Sequence, residues 1–225
     1  MTRKNVVLCA ACALAVLFVP LHASAAGFGA PDGPSYRSMM AVRTKALRLT
    51  NRAASAENLR LQNGRIAWLT GHPRDWTFGA IQNVQKWVAN GNVAWIEAHL
   101  ARAIGPYASV GGSVESAVVA KGAQNHPLLE GVSLIEAGDT FAYMRGLPTG
   151  AQALLTEWNR DDHVVLAVWP IDEGVIIICP SVRSRSSRPH DTVFDGWLDS
   201  NRSDGLRLIY NICAFSLKAL GKPLN

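Results

Sequence analysis

Three apolar runs in this 225-residue chain end in side chains that can bind an anion or move a proton. Residues 66–69 lead into Thr70, Gly71 and His72; residues 93–96 lead into Glu97, Ala98 and His99; residues 174–179 lead into Pro180, Ser181, Val182 and Arg183. An imidazole titrates near neutral pH, so a histidine beside Glu97 could work as a general base. Gly71 would let backbone N–H groups approach an anion, and the Arg183 guanidinium could clamp a carboxylate or phosphate. His72, Glu97 and His99 are also types that zinc accepts. Their spacing enforces no shared face, unlike a His-Glu-x-x-His helix, so neither a metal nor any other cofactor is assigned. Gly71, His72, Glu97, His99, Ser181 and Arg183 therefore form a candidate ligand-binding set with no catalytic residue named. A plainer reading stands beside each. His72 could be bonded into the following loop, Glu97 and His99 could be a solvated pair, and Arg183, Arg185 and Arg188 a solvated loop.

For these groups to meet, their runs must be parallel neighbours, because ligands of open α/β sheets sit at the carboxyl ends of the strands. The sequence from Arg65 to His99 predicts such a unit. Ile66, Ala67, Trp68 and Leu69 suit a strand buried on both faces. A helix capped by Asp75 follows, with Phe78, Ile81, Val84, Trp87 and Val88 at spacings of three and four. Gly91 ends it, and residues 93–96 form the next strand. Residues 163–169 and 174–179 are β-branched runs joined by Pro170, Ile171, Asp172 and Glu173 as a hairpin. The sequence places the 174–179 strand parallel to the first two. Short strands are expected near 113–120, 140–144 and 153–157, and loops at 100–112 and 180–203. An amphipathic helix is expected over 35–51, extended by 53–61 after a break. Asp204 would cap a closing helix over 206–220 with Leu208, Ile209, Ile212, Phe215 and Leu217 inward. Trp76 and Trp197 fall in loops and could stack on a sugar ring or pack beneath the chain; His163 has no evident partner.

The leading end reads as an export signal. Arg3 and Lys4 precede an apolar run over 6–19, and Ala23, Ser24 and Ala25 supply a cleavage site. The expected location is periplasmic or secreted, with anchoring by an uncleaved segment as the alternative. The divisions are then 1–25 signal peptide, 26–64 basic lead-in with the amphipathic helix, and 65–225 the α/β domain. Hydrophobic residues make up 48% and charged ones 17%, which excludes a disordered chain. From Gly27 to Arg65 there are seven basic residues against Asp32 and Glu57, while the remainder carries a net −2. Such an arm could touch phospholipid or cell-wall polymer, although a solvated helix face explains it too. No interleaving of aromatic and basic residues argues for nucleic acid. Cys179 and Cys213 could form one disulfide or remain buried thiols.

The order of motifs resembles the class I glutamine-amidotransferase-like superfamily, and within it a bacterial branch with a Thr-Gly-His strand end; trehalose-utilisation-type proteins are more distant relatives. The residues carrying the resemblance are Thr70-Gly71-His72, the helix and turn from Ala80 through Gly91 into Val93-Ala94-Trp95-Ile96, the connector His126-Pro127 to Gly131, and Arg207 through Asn211. It implies a three-layer α/β/α flavodoxin-like domain with a mostly parallel sheet and one antiparallel hairpin. It also implies no glutamine hydrolysis, since Glu97-Ala98-His99 stands where the elbow cysteine belongs and no His-x-Glu follows. One leading strand of that fold is expected to be missing or replaced by the basic helix. Three functions remain open: a non-catalytic binding or assembly domain at the cell envelope, a hydrolase of carbohydrate or wall-derived substrates using His72, Glu97 and His99, and a scaffold docked through its basic helix. The partner would be a small anionic or carbohydrate ligand, or an envelope protein.

Overall fold

Alternate residues of the predicted strands do face two different cores. In the computed structural model, which describes residues 33–100, 103, 109–183, 191–192, 194 and 204–224, Ile66, Trp68, Val93, Trp95, Val175, Ile177 and Cys179 join one core. Ala67, Leu69, Ala94, Ile96, Ile176 and Ile178 join the other. Burial on both faces is what makes the runs continuously apolar.

In chain order the elements are α1 (Tyr36–Arg48), β1 (Thr50–Ala53), β2 (Ile66–Leu69), α2 (Phe78–Ala89), β3 (Val93–Glu97), β4 (Ser109–Val119), β5 (Leu134–Arg145), β6 (Gln152–Glu157), β7 (Arg160–Ile171), β8 (Gly174–Cys179), β9 (Ser181–Arg183), β10 (Asp191–Thr192) and α3 (Gly205–Ala219). They build one sheet of 10 strands in the order β1-β2-β3-β8-β7-β6-β4-β5-β9-β10, with β5 also paired to β7. Helix α1 buries Met39, Val42 and Ala46 on the face that α3 shares, and α2 buries Ile81, Val84 and Val88 on the other.

A flavodoxin-like, mostly parallel sheet is not what forms. Among the described residues only β1–β2, β2–β3 and β3–β8 pair parallel. The pairs β8–β7, β7–β6, β6–β4, β4–β5, β5–β7, β5–β9 and β9–β10 are all antiparallel. The reason lies between β3 and β8, where a parallel fold would use crossover helices. Residues 109–171 instead make long strands that turn back on one another, and the single Met144–Val164 pairing closes β4, β5, β7 and β6 into a ring.

Other expectations change locally. A leading strand is present: β1 pairs with β2 from Thr50↔Ile66 to Ala53↔Leu69, where the sequence suggested more helix. Thr77, not Asp75, caps α2, its side chain accepting from the Ala80 N–H at 3.2 Å. Asp204 stands at the start of α3 without a side-chain cap bond. Its carboxylate accepts from the Ser133 N–H at 2.7 Å, the Ser133 hydroxyl at 2.9 Å and the Leu134 N–H at 3.1 Å. The expected loop over 180–203 contains β9 and β10. The β7–β8 hairpin is tight, with Ile171 opposite Gly174 and Asp172 at φ 48°. The export signal at 1–25, Trp197 and Arg185 lie outside the described residues. Among the described residues no helix is long and apolar enough to cross a membrane.

Candidate functional site

Because β2, β3 and β8 run parallel and in register, their carboxyl ends fall side by side: Leu69 opposite Ile96, and Glu97 opposite Cys179. The chain after each strand therefore enters one region. Glu97 is 1% exposed, His99 2% and Ser181 0%.

The wiring is specific. His99 Nε2 lies 2.7 Å from the Gly71 carbonyl oxygen, which can only accept, so Nε2 carries a proton. The other ring nitrogen, Nδ1, faces Glu97 Oε2 at 3.5 Å. Glu97 Oε1 accepts from the Trp68 indole N–H at 3.2 Å. The Ser181 hydroxyl accepts from the backbone N–H of His99 at 3.1 Å. One imidazole thus links the ends of β2 and β3 through its ring, and links β8 through its backbone.

Gly71 is required where it stands. Its φ is +87°, and an added Cβ would lie 2.1 Å from the Ala54 carbonyl oxygen. What approaches this backbone is β1's exit. Thr70 is tied to the same place, its N–H donating to the Ala53 carbonyl at 2.9 Å.

His72 does not join the cluster. It is exposed, and its Nδ1 accepts from the Arg74 N–H at 3.2 Å, shaping the short 3-10 turn Pro73–Asp75. Arg183 ends β9 opposite Thr140; its side chain lies outside the described residues. Among the described residues no group of three or more His, Cys, Asp or Glu could hold a metal. Trp76 is buried and its indole N–H donates to the Thr70 carbonyl at 2.8 Å, so it offers no face to a sugar.

Core aromatics back the cluster. Trp68 stands edge-on to Phe194 at 5.2 Å and to Trp95 at 5.9 Å, while Trp95 and Phe194 stack at 4.5 Å. The Arg52 guanidinium sits over Trp68, 4.5 Å from its centroid. That places a cation on the outer face of the indole whose N–H holds Glu97. A strand tryptophan followed 29 residues later by a strand-end carboxylate gave no sequence signal; parallel register brings them together.

Cys179 lies beside Glu97. Burial pushes its thiol well above the usual range, with the Glu97 charge and Cys213 adding to the shift. Burial raises Cys213 to about 12, partly opposed by the Arg43 charge. Both are free thiols.

A second polar cluster holds the antiparallel half. His163, which is buried, bonds through Nδ1 to Glu157 and accepts at Nε2 from Arg145, while Arg145 Nε pairs with Asp162 at 3.0 Å. The His163 ring stacks on Tyr143 at 3.8 Å. Glu157 opposes Arg160 across the β6–β7 turn, so a hairpin supplies the partner that His163 lacked in the sequence.

No family model and no curated protein matches this chain. Among solved structures it is similar to a Salmonella typhimurium protein described as cytoplasmic, STM3548, with a TM-score of 0.41 and 11% identity over 79% of this chain and 78% of that one. A likeness that distant assigns neither fold family nor activity, and the amidotransferase-like resemblance rests on the sequence motifs alone.

Proposed function

We propose that this chain is an exported, non-catalytic domain with a binding or assembly role at the cell envelope. The observation that carries the reading is how His99 is used. Nucleophilic hydrolysis with a serine needs an imidazole nitrogen that accepts the hydroxyl proton. Here Nε2 donates to a carbonyl, Nδ1 faces Glu97, and the Ser181 hydroxyl serves a backbone N–H. Each group acts as a strut between strand ends. The apolar run and Ala23-Ser24-Ala25 site support export.

Kinship with the amidotransferase-like superfamily belongs to the same proposal. It is supported by motif order and by two motifs that touch: the Asn211 amide donates to the Leu128 carbonyl at 3.1 Å and to the Glu130 carbonyl at 2.9 Å. Carbohydrate hydrolysis is the second reading, favoured by a carboxylate, an imidazole and a hydroxyl gathered at one sheet edge. The deciding assay incubates purified protein with wall-derived glycans and with glutamine. The proposal expects neither sugar nor ammonia release above background. Turnover that disappears in a folded Glu97→Gln variant would replace it with the enzyme reading.

A further inference from the structure

At the amino-terminal edge of β2, opposite the Glu97 end, cations from separate stretches gather at one corner. Arg48 ends α1 and is exposed, and Arg65 reaches back to donate to the Arg48 carbonyl at 2.8 Å. A Cβ on neighbouring Gly64 would lie 3.9 Å from Lys222 Nζ, so the tail after α3 returns to this corner. Arg60 is exposed on the neighbouring stretch, its carbonyl accepting at 3.2 Å from Asn51 on β1 while its guanidinium donates to the Leu59 carbonyl at 3.1 Å. Lys45, half-buried, lies one turn before Arg48. Acidic groups bound the patch: Glu57 sits in the turn before Arg60, and Glu173 on the β8 side approaches Gly91. Helix α1 has its apolar residues committed to the core with α3, so this surface works through charge and not by insertion.

We infer that this basic edge docks the domain on an anionic phospholipid surface, with headgroup phosphates meeting Arg48, Arg60, Arg65 and Lys222. Two observations choose a bilayer as the occupant. The patch is a local excess of positive charge on a chain whose remainder is net negative. Until it is cleaved, the apolar run over 6–19 holds the leading end at a membrane, and α1 starts at Tyr36, within about 60 Å of extended chain from it. The inference rests on the export reading, yet vesicle binding is measured without it. Docked this way, the Glu97 edge of the sheet points away from the bilayer.

The test is flotation of the full chain, as recovered from cells, on phosphatidylglycerol-containing vesicles and on pure phosphatidylcholine vesicles. Export itself is read separately, from the amino-terminal mass of periplasmic material. The expected result is binding selective for the anionic vesicles and lost as salt rises. The triple variant Arg48→Gln, Arg60→Gln, Lys222→Gln should bind about 100-fold less, since each basic residue near such a surface contributes about five-fold. Arg65 is left in place because it ties α1 to β2. The charge-preserving triple Arg48→Lys, Arg60→Lys, Lys222→Arg should bind normally, which separates charge from folding. Three results overturn the inference: equal binding to neutral vesicles, full binding by the glutamine variant, or binding to a soluble acidic polymer with none to vesicles. An aggregating glutamine variant that still binds would assign these cations to guarding the open β1 edge instead.

Discussion

His72 and His99 are both strand-end histidines, and they do unrelated work. His99 carries a ring bond and a backbone bond that join three strand ends, at 2% exposure. His99→Ala leaves the Glu97 carboxylate buried without its imidazole and should cost about 3–5 kcal/mol in urea unfolding. His72→Ala removes an exposed turn contact and should stay within about 1 kcal/mol; a large loss there would show that its bond to the Arg74 N–H holds the turn in place. The thiols give a pH signature. Cys213 is raised from 9.0 to about 12, and Cys179 is raised well above 9.0. A raised folded value means that the unfolded chain releases its protons first. Stability from these groups is therefore fully present below pH 9 and is lost as pH rises above it. Comparing Cys213→Ala with the parent between pH 8 and 11 checks this: the parent should lose stability more steeply.

Among elements, those with a strong local pattern were legible in the sequence. The β2–α2–β3 unit, the β7–β8 hairpin and α3 each repeat apolar residues at a period that one structure satisfies. Strand β1 was not legible, because Thr50, Asn51 and Arg52 show only Ala53 to the core. It is an edge strand recognised by its partner and not by its own composition. The strand-end cluster was half legible. Residue types marked Glu97, His99 and Ser181, but whether an imidazole accepts from a hydroxyl or donates to a carbonyl is set by backbone placement that sequence does not encode locally. The connector shows the same dependence on distant partners. His126, whose imidazole accepts from the Leu128 N–H and titrates lower through burial, starts a turn that α3 grips through Asn211. Asn211→Ala takes the side-chain donor from the Leu128 carbonyl and leaves the Glu130 carbonyl to Arg207 Nε at 3.0 Å, so it should destabilise by about 1–2 kcal/mol. Thermal melting reads it, and an unchanged midpoint would show that the connector holds without the Asn211 bonds.

For the whole molecule, the misread feature was the path between β3 and β8. The sheet was expected to be mostly parallel with one antiparallel hairpin, whereas residues 98–173 leave the parallel half, build most of the antiparallel half, and return through the β7–β8 turn. Strand β8 is thus the joint between halves, paired to β3 on one side and β7 on the other. A chain ending at Ile171 keeps β1, β2 and β3 but loses β8 and α3, so it should show no cooperative melting transition and should be digested quickly by protease. The same joint acts as a clock. During synthesis β3 emerges well before β8, and at about 5–20 residues per second the interval is several seconds. Through that interval the edge of β3 has no partner and the core beneath Trp95 cannot close. A nascent chain held open so long is threadable, and its own topology postpones the moment at which it becomes too compact to pass through a channel.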